Sequence, residues 1–494
     1  MEQKCVAAVD LGASSGRVIL VTLHEDCLAL EEIHRFANEG IHAGERFYTD
    51  ILHLFQEILT GLRKLKQGGH RIEAIGIDSW GVDFAVLNEE DELIGNPYHY
   101  RDAQTSGTLE QAGRIFGVRG LFWETGVQDM WYNTVYQILG IQNRNKEYFK
   151  RAQCILMIPD ILGYFLTGNK QMEYTSASTT QIYDLRKKKW SENILYELGL
   201  EERIFPEVLM TGADKGYLTE TVKKLTGMTE EDCPRLIATA GHDSASAAYA
   251  VPAEEEQYVF INSGTWSIIG MVMDAPMVAD EIYEKGYSNE GAAFGKVKLV
   301  RSIMGMWLIQ ELRKSWERRG KRIDYGYLTA EAEQAAPFTH MIHVDDELFA
   351  APLDMEEAIN AYCIRTGQTE LHGQGELYRT VTESLAMKYR EAVDGLEKIT
   401  GVEIRTIYLL GGAVQDQAFC QYIADATGRR VSAGPVEATA VGNAMIQLKA
   451  LGVFPDEGAQ RELLRRSFRI QCYEPKETKV WDRMYAKYRE IVKR

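Results

Sequence analysis

The segment CVAAVDLGASSGRVILVTL, residues 5–23, sets the architecture, with two apolar runs on either side of a short turn of small residues. Asp10 ends the first run and Arg17 begins the second. The turn between them contains Gly12 and Gly16, so its backbone N–H groups can close around an anion. The pattern predicts a β-hairpin whose turn binds phosphate, although glycine and serine also form ordinary tight turns.

A second segment of the same design, YVFINSGTWSIIGMVM, occupies residues 258–273. An apolar run again ends in a polar residue, Asn262, before a turn of small residues around Gly264. About half of the 494-residue chain separates Gly264 from Gly12. This repetition predicts two similar halves, each contributing a hairpin to one ligand site.

Composition limits the classes of protein to which the chain can belong. Its 494 residues predict two domains, and 45% apolar with 26% charged residues is typical of a globular protein. A formal net charge of −17 argues against nucleic acid or an anionic membrane as a partner. Without a basic leader or a long apolar run, the chain is expected to be cytoplasmic. Seven cysteines without C-x-x-C spacing indicate reduced thiols and no zinc site.

The segment GIDSWGVDF, residues 76–84, completes an apolar strand that follows a predicted helix. Ligands of α/β proteins bind beyond the carboxyl ends of strands, so Trp80, Gly81 and Asp83 are expected to contact a small molecule. A carbohydrate needs acceptors for its hydroxyls and a flat apolar face, which Asp83 and Trp80 provide. An ordinary turn with an exposed acid is the alternative.

Asp243 lies in GHDSASAAYA, residues 241–250, where a predicted strand gives way to a helix. Helix-start amides are expected to keep its carboxylate ionised, so that its use as a base comes from placement and not from a raised pKa. An N-cap aspartate is the alternative. Asp160, inside a predicted helix over residues 157–168, is expected to be a cap, and residues 173–184 are interpreted as a polar loop.

These motifs, with SGTWSIIG, IMGMWLIQ, LLGGAVQ and AGPVEATAVGNAMIQL, follow one another over residues 10–448 and closely resemble the FGGY family of carbohydrate kinases. Within that family the similarity is to the rhamnulokinase branch. The resemblance implies an α/β fold of two actin-like (ribonuclease H-like) domains with a catalytic cleft between them. It also implies transfer of the γ-phosphoryl group of ATP to the 1-hydroxyl of L-rhamnulose, giving L-rhamnulose 1-phosphate and ADP.

The same resemblance implies roles for single residues. Asp243 would be the general base, and Asp10 would hold Mg²⁺, directly or through water. The sugar would be contacted by Gly81, His242, Asp243 and Ser244, and ATP by Ala13, Ser14, Ser15, Gly16, Arg17, Thr265, Gln310 and Gly412. Three positions depart from the family pattern: Ser244 replaces a frequent Thr, Ala413 replaces a third glycine, and Ser302 replaces a frequent sugar-contacting Asn.

The predicted domains are residues 1–250, with the sugar site and base, and residues 251–450, with the nucleotide site. A helical tail, residues 451–494, is expected to pack on the body. Partners are expected to be a small ketose and ATP, and the protein to be a monomer or a homodimer. Three alternatives stay open: a kinase for another ketose such as L-fuculose or xylulose, an actin-like ATPase, and an inactive sugar sensor.

Overall fold

A computed structural model describes residues 4–493. The outer ends of the predicted domains, residues 1–3 and residue 494, lie outside the described part. In chain order the strands are β1 Lys4–Leu11, β2 Ser15–His24, β3 Cys27–Ala37, β4 Ile41–Ala43, β5 Arg46–Tyr48, β6 Ala74–Ser79, β7 Phe84–Leu87, β8 Cys154–Met157, β9 Met172–Glu173, β10 Tyr183–Asp184, β11 Lys189–Trp190, β12 Val208–Leu209, β13 Asp214–Tyr217, β14 Arg235–Ile237, β15 Val259–Ser263, β16 Trp266–Met273, β17 Ser288–Gly291, β18 Val297–Met304, β19 Thr406–Leu410, β20 Arg430–Ala433 and β21 Gln471–Tyr473.

The α-helices are α1 Ile51–Gln67, α2 Thr108–Phe116, α3 Gly120–Thr125, α4 Thr134–Arg144, α5 Ile158–Thr167, α6 Tyr174–Ser178, α7 Glu192–Leu198, α8 Glu220–Thr226, α9 Asp243–Tyr249, α10 Asp280–Glu284, α11 Trp307–Arg318, α12 Tyr325–Gln334, α13 Met355–Arg365, α14 Gln374–Thr400, α15 Gln417–Thr427, α16 Ala438–Ala450, α17 Glu457–Ser467 and α18 Thr478–Ile491. Both ends of α1 are capped: the Asp50 side chain accepts from His53 N, and Gly68 is the C-cap.

The first sheet has the strand order β13-β14-β6-β1-β2-β3. β1 and β2 form the predicted hairpin, with Asp10 opposite Arg17, and their apolar side chains are buried. β6 runs parallel to β1, which brings Asp78 into register with Asp10. The carboxyl ends of these two neighbouring strands therefore carry two carboxylates side by side.

The second sheet has the order β17-β18-β16-β15-β19-β20-β21. β15 and β16 form the second predicted hairpin, and β19 runs parallel to β15 with Leu410 opposite Asn262. The series β18-β16-β15-β19-β20 repeats the series β3-β2-β1-β6-β14 of the first sheet. The two hairpins thus occupy equivalent places in two sheets of the same topology.

The chain divides into two compact units, and each unit draws on separated segments. Unit 1 combines the chain up to Pro252 with Val272–Leu299 and Ala438–Phe468, and unit 2 combines Ala253–Met271 and Val300–Glu437 with the chain from Arg469 onward. In unit 1, α16 crosses α9 so closely that a Cβ on Gly442 would lie 1.8 Å from the carbonyl oxygen of Ser246. The linear division at residues 250 and 450 stays a prediction.

Two local expectations were wrong. Residues 174–178 form helix α6, because the buried Glu173 carboxylate caps the amides of Thr175 and Ser176. Asp160 does not cap α5, which begins after Met157 without a side-chain cap. Its carboxylate instead accepts from Lys215 Nζ at 2.7 Å, because α5 is buried and the charge needs a partner there.

Candidate active site

The turn of the first hairpin, residues 12–16, is anchored from one side. Gly12 N donates to Ser15 O at 2.9 Å, and Asn38 donates its side-chain amide to Gly12 O and its backbone N–H to Ser14 O, at 2.7 and 3.1 Å. Ala13 and Ser14 are exposed at the tip. Asn38 therefore satisfies two carbonyl groups of the turn. Nothing in the sequence around Asn38 predicted that role.

A cluster of acids lies where β1 and β6 end. Asp10 accepts from Arg17 Nη2 at 2.5 Å, and Asp78 accepts from Asn443 Nδ2 at 2.5 Å. Asp78 is completely buried, and its other oxygen, Oδ1, has no hydrogen-bond partner. Burial, followed by the neighbouring Asp10, raises the pKa of Asp78 well above its usual range. Asp78 was missed as a site residue, although its place at a strand end beside Asp10 could have identified it.

The loop after β6 holds Trp80, Gly81 and Asp83. Asp83 is completely buried, and its carboxylate accepts from Trp80 Nε1 at 2.9 Å, Tyr100 N at 3.1 Å and Gln137 Nε2 at 3.0 Å. Burial raises the pKa of Asp83 to about 7, against the lowering effect of these hydrogen bonds. Asp83 therefore braces the loop from inside, while Gly81 remains partly exposed.

Val82 adds backbone strain to this loop, because its φ of 71° is a conformation that a β-branched residue rarely adopts. Three hydrogen bonds hold it there. Thr179 Oγ1 accepts from Val82 N at 3.1 Å, and Val82 O accepts from Thr134 Oγ1 at 2.7 Å and Gln137 Nε2 at 3.2 Å. A Cβ on Gly81 would lie only 2.9 Å from Thr179 Cγ2, so the position next to Val82 suits glycine.

Asp243 is the first residue of α9, and His242 is the N-cap. The Asp243 Oδ1 atom accepts from Ser244 N at 2.6 Å, and 34% of the side chain is exposed. The expectation that the pKa of Asp243 is not raised was wrong, since desolvation raises this pKa, and nearby Asp10 raises it further. The pKa is lowered by His242, the Ser244 amide and Lys298, but by less than desolvation and Asp10 raise it.

His242 and Ser244 belong to a second group of charges in unit 1. His242 Nδ1 lies 3.3 Å from Glu290 Oε2, and its Nε2 lies 3.5 Å from Asp243 Oδ1. Lys298, whose side chain is completely buried, pairs with Glu290 and donates to Ser244 Oγ at 3.0 Å. Lys298 was missed from the sequence, because VKLVRSIM resembles an ordinary apolar strand with two basic residues.

In unit 2 the turn of the second hairpin is anchored by the start of α11. Gly305 N and Trp307 N donate to Thr265 O at 3.2 and 3.1 Å, and Met306 N donates to Gly264 O at 3.0 Å. Thr265 Oγ1 donates to Gln310 Oε1 at 3.2 Å, so two residues predicted to contact ATP touch each other.

Two further predicted residues also lie in unit 2. Gly412 is exposed just after β19, and a Cβ there would meet nothing within 4 Å. Ser302 lies in β18 and is partly buried. Within unit 1 the structure groups residues 10–17 with Asp78, and His242 with Asp243 and Ser244. The ligand contacts of all these residues stay predictions.

The model for the N-terminal domain of the FGGY family of carbohydrate kinases matches residues 5–250, and that for its C-terminal domain matches residues 259–451. The chain belongs to this family. A rhamnulokinase of Bacteroides thetaiotaomicron is 38% identical over 486 residues, which cover 98% of this chain and 99% of the relative. A rhamnulokinase of Bacillus subtilis is 34% identical over 474 residues, 95% of each chain. The predicted resemblance is thus confirmed, and the FGGY protein described here is a carbohydrate kinase.

Solved structures agree on the fold. A ligand-bound xylulose kinase from Lactobacillus acidophilus gives a TM-score of 0.81 at 18% identity, covering 99% of this chain and 97% of that one. A Plasmodium falciparum glycerol kinase with ADP gives 0.78 at 17% identity, covering 99% and 98%. The predicted α/β fold with two actin-like domains is therefore confirmed.

Among the helices of residues 4–493, none combines the length and the apolar character needed to span a bilayer.

Proposed function

We propose that this FGGY kinase transfers the γ-phosphoryl group of ATP to the 1-hydroxyl of L-rhamnulose, a step of rhamnose catabolism. The observation that carries the proposal is the nearly full-length match to rhamnulokinases at 38% and 34% identity. The xylulose and glycerol kinases with the same fold are only 18% and 17% identical. We therefore assign the substrate from the sequence similarity and not from the shared fold.

Asp243 is proposed as the general base that takes the proton of the attacking hydroxyl. Its carboxylate is oriented by the Ser244 amide and is exposed enough to meet an alcohol. Phosphoryl transfer passes through a loose transition state, so alignment of the hydroxyl is the main task of the protein. His242, Ser244 and Gly81 are proposed to bind the sugar hydroxyls.

Three further residues are proposed for the sugar site with different roles. Trp80 was predicted to offer an apolar ring to the C–H face of the sugar, but it is buried in the hydrophobic core of unit 1 with only 9% of the residue exposed. We therefore propose that Trp80 supports the loop at Gly81 from the core side. Asp83 was predicted to accept sugar hydroxyls, but its oxygens already accept from Trp80, Tyr100 and Gln137. We therefore propose that it acts by holding Trp80 and Gly81 in place. Ser302 is proposed as a sugar contact from unit 2.

ATP is proposed to bind through the two hairpin turns. Residues 13–17 supply backbone amides and the Arg17 guanidinium, while Thr265, Gln310 and Gly412 supply the contacts of unit 2. The carbonyls of both turns already accept hydrogen bonds from Asn38 or from the start of α11. Gly12 N and Gly264 N donate within their own hairpins, so we propose that the other amides of the two turns donate to phosphate oxygens. With a formal charge of −17 on the chain, such local donors are needed to hold a polyphosphate.

Asp10 is proposed to hold the Mg²⁺ that accompanies ATP. Carboxylate oxygens suit Mg²⁺, which keeps several waters and needs only one or two protein carboxylates. The unpartnered Oδ1 of the neighbouring Asp78 fits such a hydrated cation. Among the described residues no group of three or more His, Cys, Asp or Glu forms a protein-only metal cage. Bound Mg²⁺ would neutralise phosphate charge.

The test is ADP release, measured with a coupled assay over a panel of ketoses. L-rhamnulose should give the highest kcat/KM, and the product should carry phosphate on O1. A higher kcat/KM for L-fuculose or xylulose would reassign the substrate, ADP release without sugar would indicate an ATPase, and sugar binding without ADP release would indicate a sensor.

We also propose a cytoplasmic location, which the free thiols of the described cysteines support. We propose that the protein is a monomer or a homodimer, which light scattering would measure.

A further inference from the structure

Lys298 is a buried cation outside the set of residues to which the family resemblance gives a role. Its side chain has no exposed surface, yet it belongs to β18, a strand whose other residues include the apolar Val297, Leu299 and Val300. A buried ammonium group is costly unless it is paired and hydrogen-bonded. Its partners therefore indicate what the charge does.

The two partners of Lys298 lead to the residues on either side of Asp243. Lys298 Nζ donates to Ser244 Oγ at 3.0 Å and pairs with the Glu290 carboxylate, which lies 3.3 Å from His242 Nδ1. One buried cation is thus linked directly to Ser244 and through one carboxylate to His242. We propose that Lys298 is a positioning residue for the sugar-binding segment 242–244.

The contact with Ser244 also fixes the direction of its hydroxyl. An ammonium group can only donate, so Ser244 Oγ must accept from Lys298 and turns its own proton elsewhere. The hydroxyl then donates either to His242 Nε2, 3.2 Å away, or to an oxygen of a bound sugar. Lys298 therefore presents Ser244 to the substrate as a donor.

The Glu290 carboxylate completes the arrangement. Burial alone would raise the pKa of Glu290, but the Lys298 charge and His242 lower it well below its usual range, so it stays ionised. An ionised Glu290 can only accept, which orients the Nδ1 side of the imidazole toward it. A pair that served the fold alone would change the melting temperature and leave sugar kcat/KM at the parent value.

The experiment replaces both charges together, because removing one partner of a buried pair leaves an unpaired charge and destabilises the fold, whereas removing both is often neutral. The double variants Lys298→Met with Glu290→Gln, and Lys298→Gln with Glu290→Gln, are compared with the parent. The control is the double variant Arg379→Met with Glu383→Gln, which removes a largely buried ion pair of unit 2.

This inference rests on the proposed function, so the readouts are sugar kcat/KM, the KM for ATP and ketose affinity by calorimetry. In a double variant that melts within about 3 °C of the parent, sugar kcat/KM should fall about tenfold to a hundredfold, with the KM for ATP unchanged. The control should keep the parent sugar kcat/KM. A folded double variant within about twofold of the parent in sugar kcat/KM would overturn the proposal.

Ser244→Ala keeps the charge pair and serves where neither double variant folds. It should lower sugar kcat/KM without changing the KM for ATP, and adding it to a folded double variant should cause little further loss, since both changes remove one interaction. A parent-like Ser244→Ala, or fully additive losses, would contradict the proposal. If the parent phosphorylates no ketose, the proposed function fails, and ketose affinity measured by calorimetry decides the positioning role. Ketose binding about tenfold weaker in a double variant than in the parent would support that role, and equal binding would refute it.

Discussion

Gly442→Ala should destabilise unit 1 and slow catalysis, because Gly442 is the point where α16 touches α9. A Cβ there would lie 1.8 Å from the Ser246 carbonyl oxygen and 2.6 Å from its carbon. Both atoms are backbone, so no side chain can rotate away, and the helices must separate by roughly 1.5 Å to restore ordinary contact. Replacing a helical glycine by alanine gains about 1 kcal/mol. Overpacking lowers the free energy of unfolding by about 1–3 kcal/mol or more. Because the contact at 1.8 Å is with rigid backbone, we place the cost at about 3 kcal/mol, so the net loss of stability is about 2 kcal/mol.

The same displacement should reach the chemistry, since α9 begins with Asp243 and contains Ser246. A shift of about 1 Å in a reacting group can cost about a hundredfold in rate, so kcat should fall about tenfold to a hundredfold well below the melting temperature. Scanning calorimetry should show a midpoint lower by about 3 °C, since unit 1 is large and its unfolding entropy is correspondingly high.

The matched control is Gly113→Ala in α2, where a Cβ meets nothing within 4 Å. It should gain about 0.5–1 kcal/mol and keep the parent kcat. A Gly442→Ala enzyme that melts and turns over like the parent would refute the reasoning.

Three other substitutions test separate parts of the site. Asp243→Asn should lower kcat roughly a hundredfold to ten-thousandfold with unchanged ATP affinity in calorimetry. In the parent, kcat/KM should fall with decreasing pH at a value above the usual aspartate pKa, because the base works ionised and its pKa is raised. Asp78→Asn should raise the melting temperature more at pH 8 than at pH 5, because a raised pKa in the folded state makes the ionised form destabilising and protonation removes that penalty; an equal gain at both pH values would contradict this. Gly412→Val should raise the KM for ATP about tenfold at an unchanged melting temperature, because the position is open in the protein; an unchanged KM would remove Gly412 from the nucleotide site.

Local sequence patterns predicted the elements that frame the site, but not the contacts between them. The two hairpins follow from apolar runs joined by glycine-containing turns, and the start of α9 at Asp243 follows from the change of pattern after a predicted strand. These signals act over a few positions. The burial of Asp83 depends on Gln137 and Tyr100, which come from separate segments. The hydrogen bond of Lys298 to Ser244 likewise joins residues that are far apart in the sequence. The raised pKa of Asp243 was missed for the same reason, since desolvation comes from the whole fold.

The two hairpins share a topology but differ in charge, and this difference explains how one duplicated framework can divide the work of a kinase. In the first sheet the paired strand ends carry Asp10 and Asp78, whereas the equivalent positions of the second carry Asn262 and Leu410. A carboxylate near a polyphosphate is repulsive unless a cation lies between them. On the proposed function, the acidic strand ends would take the hydrated Mg²⁺, and the uncharged ends, with Thr265 and backbone donors, would meet the phosphates directly. Divergence at these strand ends, with the backbone retained, thus gives the carboxylates to the first half alone, while the turns of both halves keep backbone donors for the phosphates of ATP.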